Sequence, residues 1–132
     1  MAVRDNRIKV LFVDDDKCIR ESMVFMLKEI GFIVRAAQNG QEALNEVARD
    51  RPHIVVLDVA MPGMDGIEAC KRLRGDPQTR DLPVMFLSAH DHVEELVAGL
   101  PGPAIKCMEK PCSVRCLAEE IQLAVLDSRG IL

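Results

Sequence analysis

The sequence predicts a doubly wound α/β fold, a five-stranded parallel sheet with five helices packed over its faces. Two patterns carry this expectation. Short apolar runs alternate with longer stretches whose apolar residues recur at helical spacing, five times along the chain. The clearest of these runs, His53-Ile54-Val55-Val56-Leu57, is apolar almost throughout, as a parallel strand covered on both faces must be. A third observation concerns the ends of the runs: four of the five end at or near a side chain with polar chemistry to offer.

In order, Lys9 to Val13 is the first strand, and it stops at Asp14-Asp15-Asp16. Ile19, Met23, Met26, Leu27 and Ile30 then keep helical spacing, and Gly31 stands where such a helix would end. Phe32 to Ala36 is a second, weaker strand, followed by a turn signal at Asn39-Gly40. Ala43, Leu44, Val47 and Ala48 mark the inner face of a second helix. The third strand, His53 to Leu57, ends at Asp58. A loop with Pro62, Gly63 and Gly66 leads into a helix carrying Ile67, Cys70 and Leu73, which Gly75-Asp76-Pro77 breaks. Pro83 to Leu87 is the fourth strand, ending at Ser88, and a short helix is expected over Asp91 to Ala98. Ala104 to Met108 is the fifth strand, ending near Lys110-Pro111. Ser113 can cap a last helix built on Val114, Leu117, Ile121 and Val125.

A chain of 132 residues with 48% hydrophobic and 29% charged side chains suits one domain, 1–132, with a core over about 8–127. The net charge of -4, without a basic stripe, argues against direct nucleic-acid binding. No apolar run approaches the ~18 residues of a membrane span, and MAVRDNRIKV does not read as a signal peptide. Five cysteines, an odd number, fit reduced thiols in a cytoplasmic protein. Cys107, Cys112 and Cys116 match no common zinc spacing, and Cys112 and Cys116 read as small packing residues. His90 and His92 read as solvated loop residues.

Ligands of open α/β sheets bind outside the carboxyl ends of the strands. There the sequence delivers Asp14, Asp15 and Asp16, then Asp58, Ser88 and Lys110. Converging carboxylates repel one another unless a counter-charge joins them, and hard oxygen donors favour Mg²⁺, with Mn²⁺ as the alternative. Asp58 can attack phosphorus as a nucleophile. The three equatorial oxygens of a transferred phosphoryl group would then meet the metal, the Ser88 hydroxyl and the Lys110 ammonium. Taken singly, each residue has a plainer reading: a solvated acidic loop or helix start, a turn, a cap, a surface charge. Together, at successive strand ends, they are a kit for phosphoryl transfer by positioning and electrostatics.

The strings Val13 to Asp16, Asp58-Val59-Ala60-Met61-Pro62-Gly63-Met64-Asp65-Gly66, Leu87-Ser88-Ala89 and Lys110-Pro111 resemble the signature of response-regulator receiver domains, over about positions 8–127. The resemblance implies a flavodoxin-like strand order 2-1-3-4-5 and a regulatory domain rather than an enzyme, one that catalyses only its own phosphorylation and dephosphorylation. It implies Asp58 as phosphoacceptor and Mg²⁺ on Asp15, Asp58 and the Ala60 carbonyl, with Asp14 acting through water. Ser88 becomes the switch hydroxyl, and Lys110 the phosphoryl partner ahead of a cis bond to Pro111. The implied donor is a sensor histidine kinase or phosphotransfer protein. The output partner or output domain is not named by the sequence, which fits a stand-alone receiver, the first domain of a longer regulator, or a homodimer.

This chain departs from the family pattern in three places. Cys107 stands where an aromatic switch residue is expected. Ala60 and His90 border the site at positions able to tune phosphoryl lifetime. Gly99-Leu100-Pro101-Gly102-Pro103 should shorten the fourth helix. A phosphorylation-independent interaction module on the same fold is the alternative reading, but it would ordinarily have lost a key residue, and none is lost. An Asp-x-Asp phosphatase lacks its general acid here, because Ala60 holds that position. An FMN carrier would meet three aspartates where it needs a phosphate cradle.

Overall fold

The computed structural model describes residues 7–59, 66–88, 105–109 and 113–130. Nine elements succeed one another: β1 (Lys9–Val13), α1 (Lys17–Ile30), β2 (Ile33–Ala37), α2 (Gly40–Arg49), β3 (Ile54–Asp58), α3 (Gly66–Gly75), β4 (Val84–Ser88), β5 (Ile105–Glu109) and α4 (Val114–Ser128). The helix expected over Asp91 to Ala98 and the Gly99 to Pro103 segment lie outside the described residues, so the described helices number four. All strand pairs are parallel, in the order β2-β1-β3-β4-β5.

Alternation along the strands sorts the core into two layers. Leu11, Val13, Val55, Leu57, Val84 and Phe86 face α2 and α3 through Ala43, Val47, Ala69, Cys70 and Leu73. Val10, Phe12, Ile54, Val56, Met85 and Leu87 face α1 and α4 through Leu27, Leu117, Ile121 and Val125. Sealing each large aliphatic side chain in this way contributes roughly 1.5–3 kcal/mol. The same sorting puts helices on both faces, which is why the central strands read as unbroken apolar runs.

The helix ends are set by single side chains. Asp16 caps α1 by accepting from the Ile19 N–H at 3.1 Å, and Gly31 closes that helix at φ 124°. Asn39, expected in a turn with Gly40, instead caps α2 by accepting from the Glu42 N–H at 2.8 Å, and Gly40 is already helical. Ser113 caps α4 as expected, through the Cys116 N–H at 3.1 Å. The strands after the first begin one residue later than the apolar runs suggest. Phe32 donates its N–H back to the Leu27 carbonyl at 3.2 Å, closing α1 rather than opening β2. Pro83 has no N–H and joins the ladder only by accepting from the Val55 N–H.

Two packing expectations change. Of the apolar residues of α1, Leu27 alone is fully buried, while Ile19, Met26 and Ile30 stay 42%, 36% and 46% exposed. A helix lying on a sheet buries a stripe, here centred on Leu27 with Met23 and Val24, and the flank keeps its solvent contact. Cys116 is exposed rather than packed, because the buried stripe of α4 runs through Leu117, Ala118 and Ile121. Cys112 lies outside the described residues. None of the described helices is long and apolar enough to cross a membrane.

At the end of the sheet opposite the strand carboxyl ends, His53 accepts from the Lys9 N–H at its Nδ1 (2.8 Å) and donates its backbone N–H to the Lys9 carbonyl (2.9 Å). Burial first, and then the charges of Arg129, Lys9 and Arg51, hold its pKa below the ordinary 6.5. The folded state therefore resists a proton that the unfolded chain accepts. The stabilisation is whole above pH 6.5 and is lost as pH falls from there to the lower folded value. Denaturant melts at pH 7.5 and 5.5 (about one unit either side of the ordinary value) should show a larger loss for the parent than for His53→Asn, which keeps an acceptor but does not titrate. Equal losses would refute this.

Candidate functional site

Val13 pairs with Leu57 across β1 and β3, so the next residues, Asp14 and Asp58, emerge side by side. The chain moves from β1 outward to β2 on one side and to β3 on the other, so this is the switch point of the sheet, where open α/β folds form their crevice. Asp14, Asp15 and Asp58 each offer an oxygen there, all within 4.8 Å of one another. Asp14 is buried, Asp58 is half-buried and Asp15 is exposed.

Local bonds hold the acidic turn. The Asp14 N–H donates to the Ala37 carbonyl at 3.2 Å, and its Oδ1 accepts from the Asp16 N–H at 2.9 Å. Arg20, from the first turns of α1, donates from Nη1 to the Asp14 carbonyl at 2.9 Å. Asp16 leaves the cluster to cap α1, so the three-aspartate run divides into two site residues and one cap. On the other side, the Gly66 N–H donates to the Val59 carbonyl at 3.1 Å. A Cβ on Gly66 would lie 2.4 Å from the Asp58 carbonyl oxygen, so α3 starts directly against the backbone of Asp58.

Three carboxylates this close repel by several kcal/mol at an effective dielectric of about 20, unless a proton or a cation intervenes. Their oxygens are hard donors, two of them open to water, and no Cys or His joins the group among the described residues. The set therefore fits a divalent cation of the Mg²⁺ kind.

Ser88 is the last residue of β4, one step beyond Leu87, the partner of Asp58, and its own partner is Glu109 at the end of β5. Ala60, His90, Lys110 and Pro111 lie outside the described residues. Cys107 sits in β5 in register with Phe86. Two residues of this site were not singled out for their roles by sequence reasoning. The signal for Arg20 is an arginine just inside a helix that opens on an acidic run, since helical side chains lean toward the N-terminus. The signal for Gly66 is a glycine at a helix start close after a strand end.

A family model for the response regulator receiver domain matches residues 10–122. The response regulator MprA of Mycolicibacterium vanbaalenii is 47% identical over 104 residues, which are 79% of this chain and 44% of that protein. MprA of Mycobacterium leprae is 44% identical over 115 residues, 87% of this chain and 50% of that protein. The chain thus spans about half the length of the curated relatives it matches. Among solved structures, the Vibrio cholerae chemotaxis protein CheY4 superposes with a TM-score of 0.82 at 28% identity, covering 89% of this chain and 98% of that one. The receiver domain of the Francisella response regulator 1452 gives 0.79 at 31% identity, covering 92% and 99%.

The chain belongs to the response regulator receiver domain family. It is a regulatory domain of two-component signalling, in which response regulators work with sensor histidine kinases.

Proposed function

We propose that this domain takes a phosphoryl group on Asp58 from the phosphohistidine of a sensor histidine kinase or phosphotransfer protein. A carboxylate oxygen of Asp58 forms the new P–O bond as the P–N bond to histidine breaks, and the histidine leaves with the bonding pair. The observation that carries this reading is the convergence of Asp14, Asp15 and Asp58 at the switch point of the sheet. Mg²⁺, with Mn²⁺ as substitute, would be held by Asp15, Asp58 and the Ala60 carbonyl, with Asp14 acting through a water. The metal supplies charge neutralisation for the incoming oxygens. Ser88 donates its hydroxyl to a second oxygen, and the Lys110 ammonium pairs with a third.

The output is a shift between two conformations read by a partner protein or an attached domain, with no nucleic acid contacted by this domain itself. With Cys107 in place of a ring on β5, that shift runs without rotation of an aromatic side chain there. A single domain with five helices, the fourth expected over Asp91 to Ala98, working in the cytoplasm as monomer or homodimer, goes with this reading.

Intact mass after incubation with acetyl phosphate and Mg²⁺ tests it. One added phosphoryl group is expected, and none when a chelator removes the metal. No gain from acetyl phosphate or from a phosphorylated histidine donor would sink the proposal and leave the interaction-module reading.

A further inference from the structure

We infer that Arg20 is a positioning residue for the metal site, acting through the peptide that joins Asp14 to Asp15. This rests on the metal-binding reading above and adds a residue to it. Asp14 is fixed on three sides: its N–H by Ala37, its carboxylate by the Asp16 N–H, and its carbonyl by Arg20. The first two bonds hold Asp14 itself. The third holds the plane of the following peptide, because the Asp14 carbonyl and the Asp15 nitrogen lie in one rigid unit. The orientation of that plane sets the direction in which Asp15 leaves the turn.

Asp15 is the member of the trio that needs this help. Asp14 is sealed in the protein and Asp58 ends β3 paired to Leu87 of β4, whereas Asp15 is exposed and lies beyond the last ladder pair of β1. The bond from Arg20 is charge-assisted, at 2.9 Å, and comes from a helix anchored at its own start by Asp16. The guanidinium thus ties α1 to the turn that presents two of the three carboxylates.

Charge and positioning predict opposite signs when Arg20 is replaced. A cation near the acidic group opposes the arrival of Mg²⁺, so its removal should tighten metal binding if charge were its role. If it positions Asp15, removal should weaken metal binding by about tenfold, the lower end of what outer-shell partners of metal ligands carry.

The test is calorimetric titration of Mg²⁺ into the metal-free protein, with no phosphoryl donor, for the parent, Arg20→Met, Arg20→Gln and Arg20→Lys, beside metal-free thermal melts. Met has no donor and the Gln amide ends two bonds short of the Nη1 position, so both variants should bind Mg²⁺ about tenfold more weakly, with metal-free melting within a few degrees of the parent. Lys, which keeps the charge and one donor, should recover part of the loss. Should Met unfold the domain, Gln decides by the same numbers. Unchanged or tighter binding in the folded Met or Gln variant would overturn the role given to Arg20. A parent that binds no Mg²⁺ would overturn the metal site itself and this inference with it.

Discussion

Asp58→Asn should fold as the parent does and take up no phosphoryl group from any donor. Asparagine matches the carboxylate in shape, and Asp58 ends β3 with its backbone paired to Leu87, so the strand has no reason to move. The amide, however, lacks the anionic oxygen that attacks phosphorus, and it removes one of three negative charges that lie within 4.8 Å. Each of those two losses has its own measurement. Intact mass after acetyl phosphate and Mg²⁺ should show no added group, where the parent shows one. Thermal melting with Mg²⁺ at ten times the parent's Kd should show about 1.4 kcal/mol of metal stabilisation in the parent and clearly less in the variant. Uptake that persists in Asp58→Asn would mean the acceptor is another residue. Equal stabilisation would remove Asp58 from the metal site.

Gly66→Ala carries the second large effect, and it is one of shape. Alanine ordinarily stabilises a helix by nearly 1 kcal/mol over glycine. At position 66 the new methyl would stand 2.4 Å from the Asp58 carbonyl oxygen and 3.2 Å from both the Asp58 carbonyl carbon and the Val59 Cα. All three are backbone atoms and cannot swing aside as a flexible side chain would. The start of α3 or the end of β3 has to move, at a cost of roughly 1–3 kcal/mol, and the clash outweighs the helix preference. Because the crowded atoms belong to Asp58 and its neighbour, phosphoryl uptake should slow as well. Gly75→Ala, at the other end of α3, meets nothing within 4 Å and should be neutral to mildly stabilising. Denaturant melts of the two variants give the comparison, and similar stabilities for both would refute the close approach at Gly66.

Much of this was legible in the sequence. The five described strands fall within one residue of the apolar runs, most plainly β3, which is buried on both faces and so is apolar at every position before Asp58, whereas the edge strand β2 keeps a half-buried Arg35. The Ser113 cap was legible too, since a hydroxyl ahead of a helical repeat satisfies an N–H that otherwise has no partner. The aspartates at the ends of β1 and β3 were placed together by the rule that ligands gather at strand carboxyl ends, and Val13 against Leu57 is the register that brings them there.

The tertiary structure alone decided the contacts between elements. Asp14, Asp15 and Asp16 have the same chemistry in sequence. Only the path of the chain between β1 and α1 turns Asp16 into a cap and leaves the other two beside Asp58. The exposed flank of α1 and the exposed Cys116 depend on how each helix is rotated on the sheet, a rotation that apolar spacing leaves open by a residue or so on either side. Arg20 and Gly66 owe their roles to single atoms meeting across a turn and across the start of a helix. Periodicity reports which side of an element faces inward. Which atoms then touch is set by register and packing between segments far apart in the chain, and the sequence carries that information only through the fold it makes.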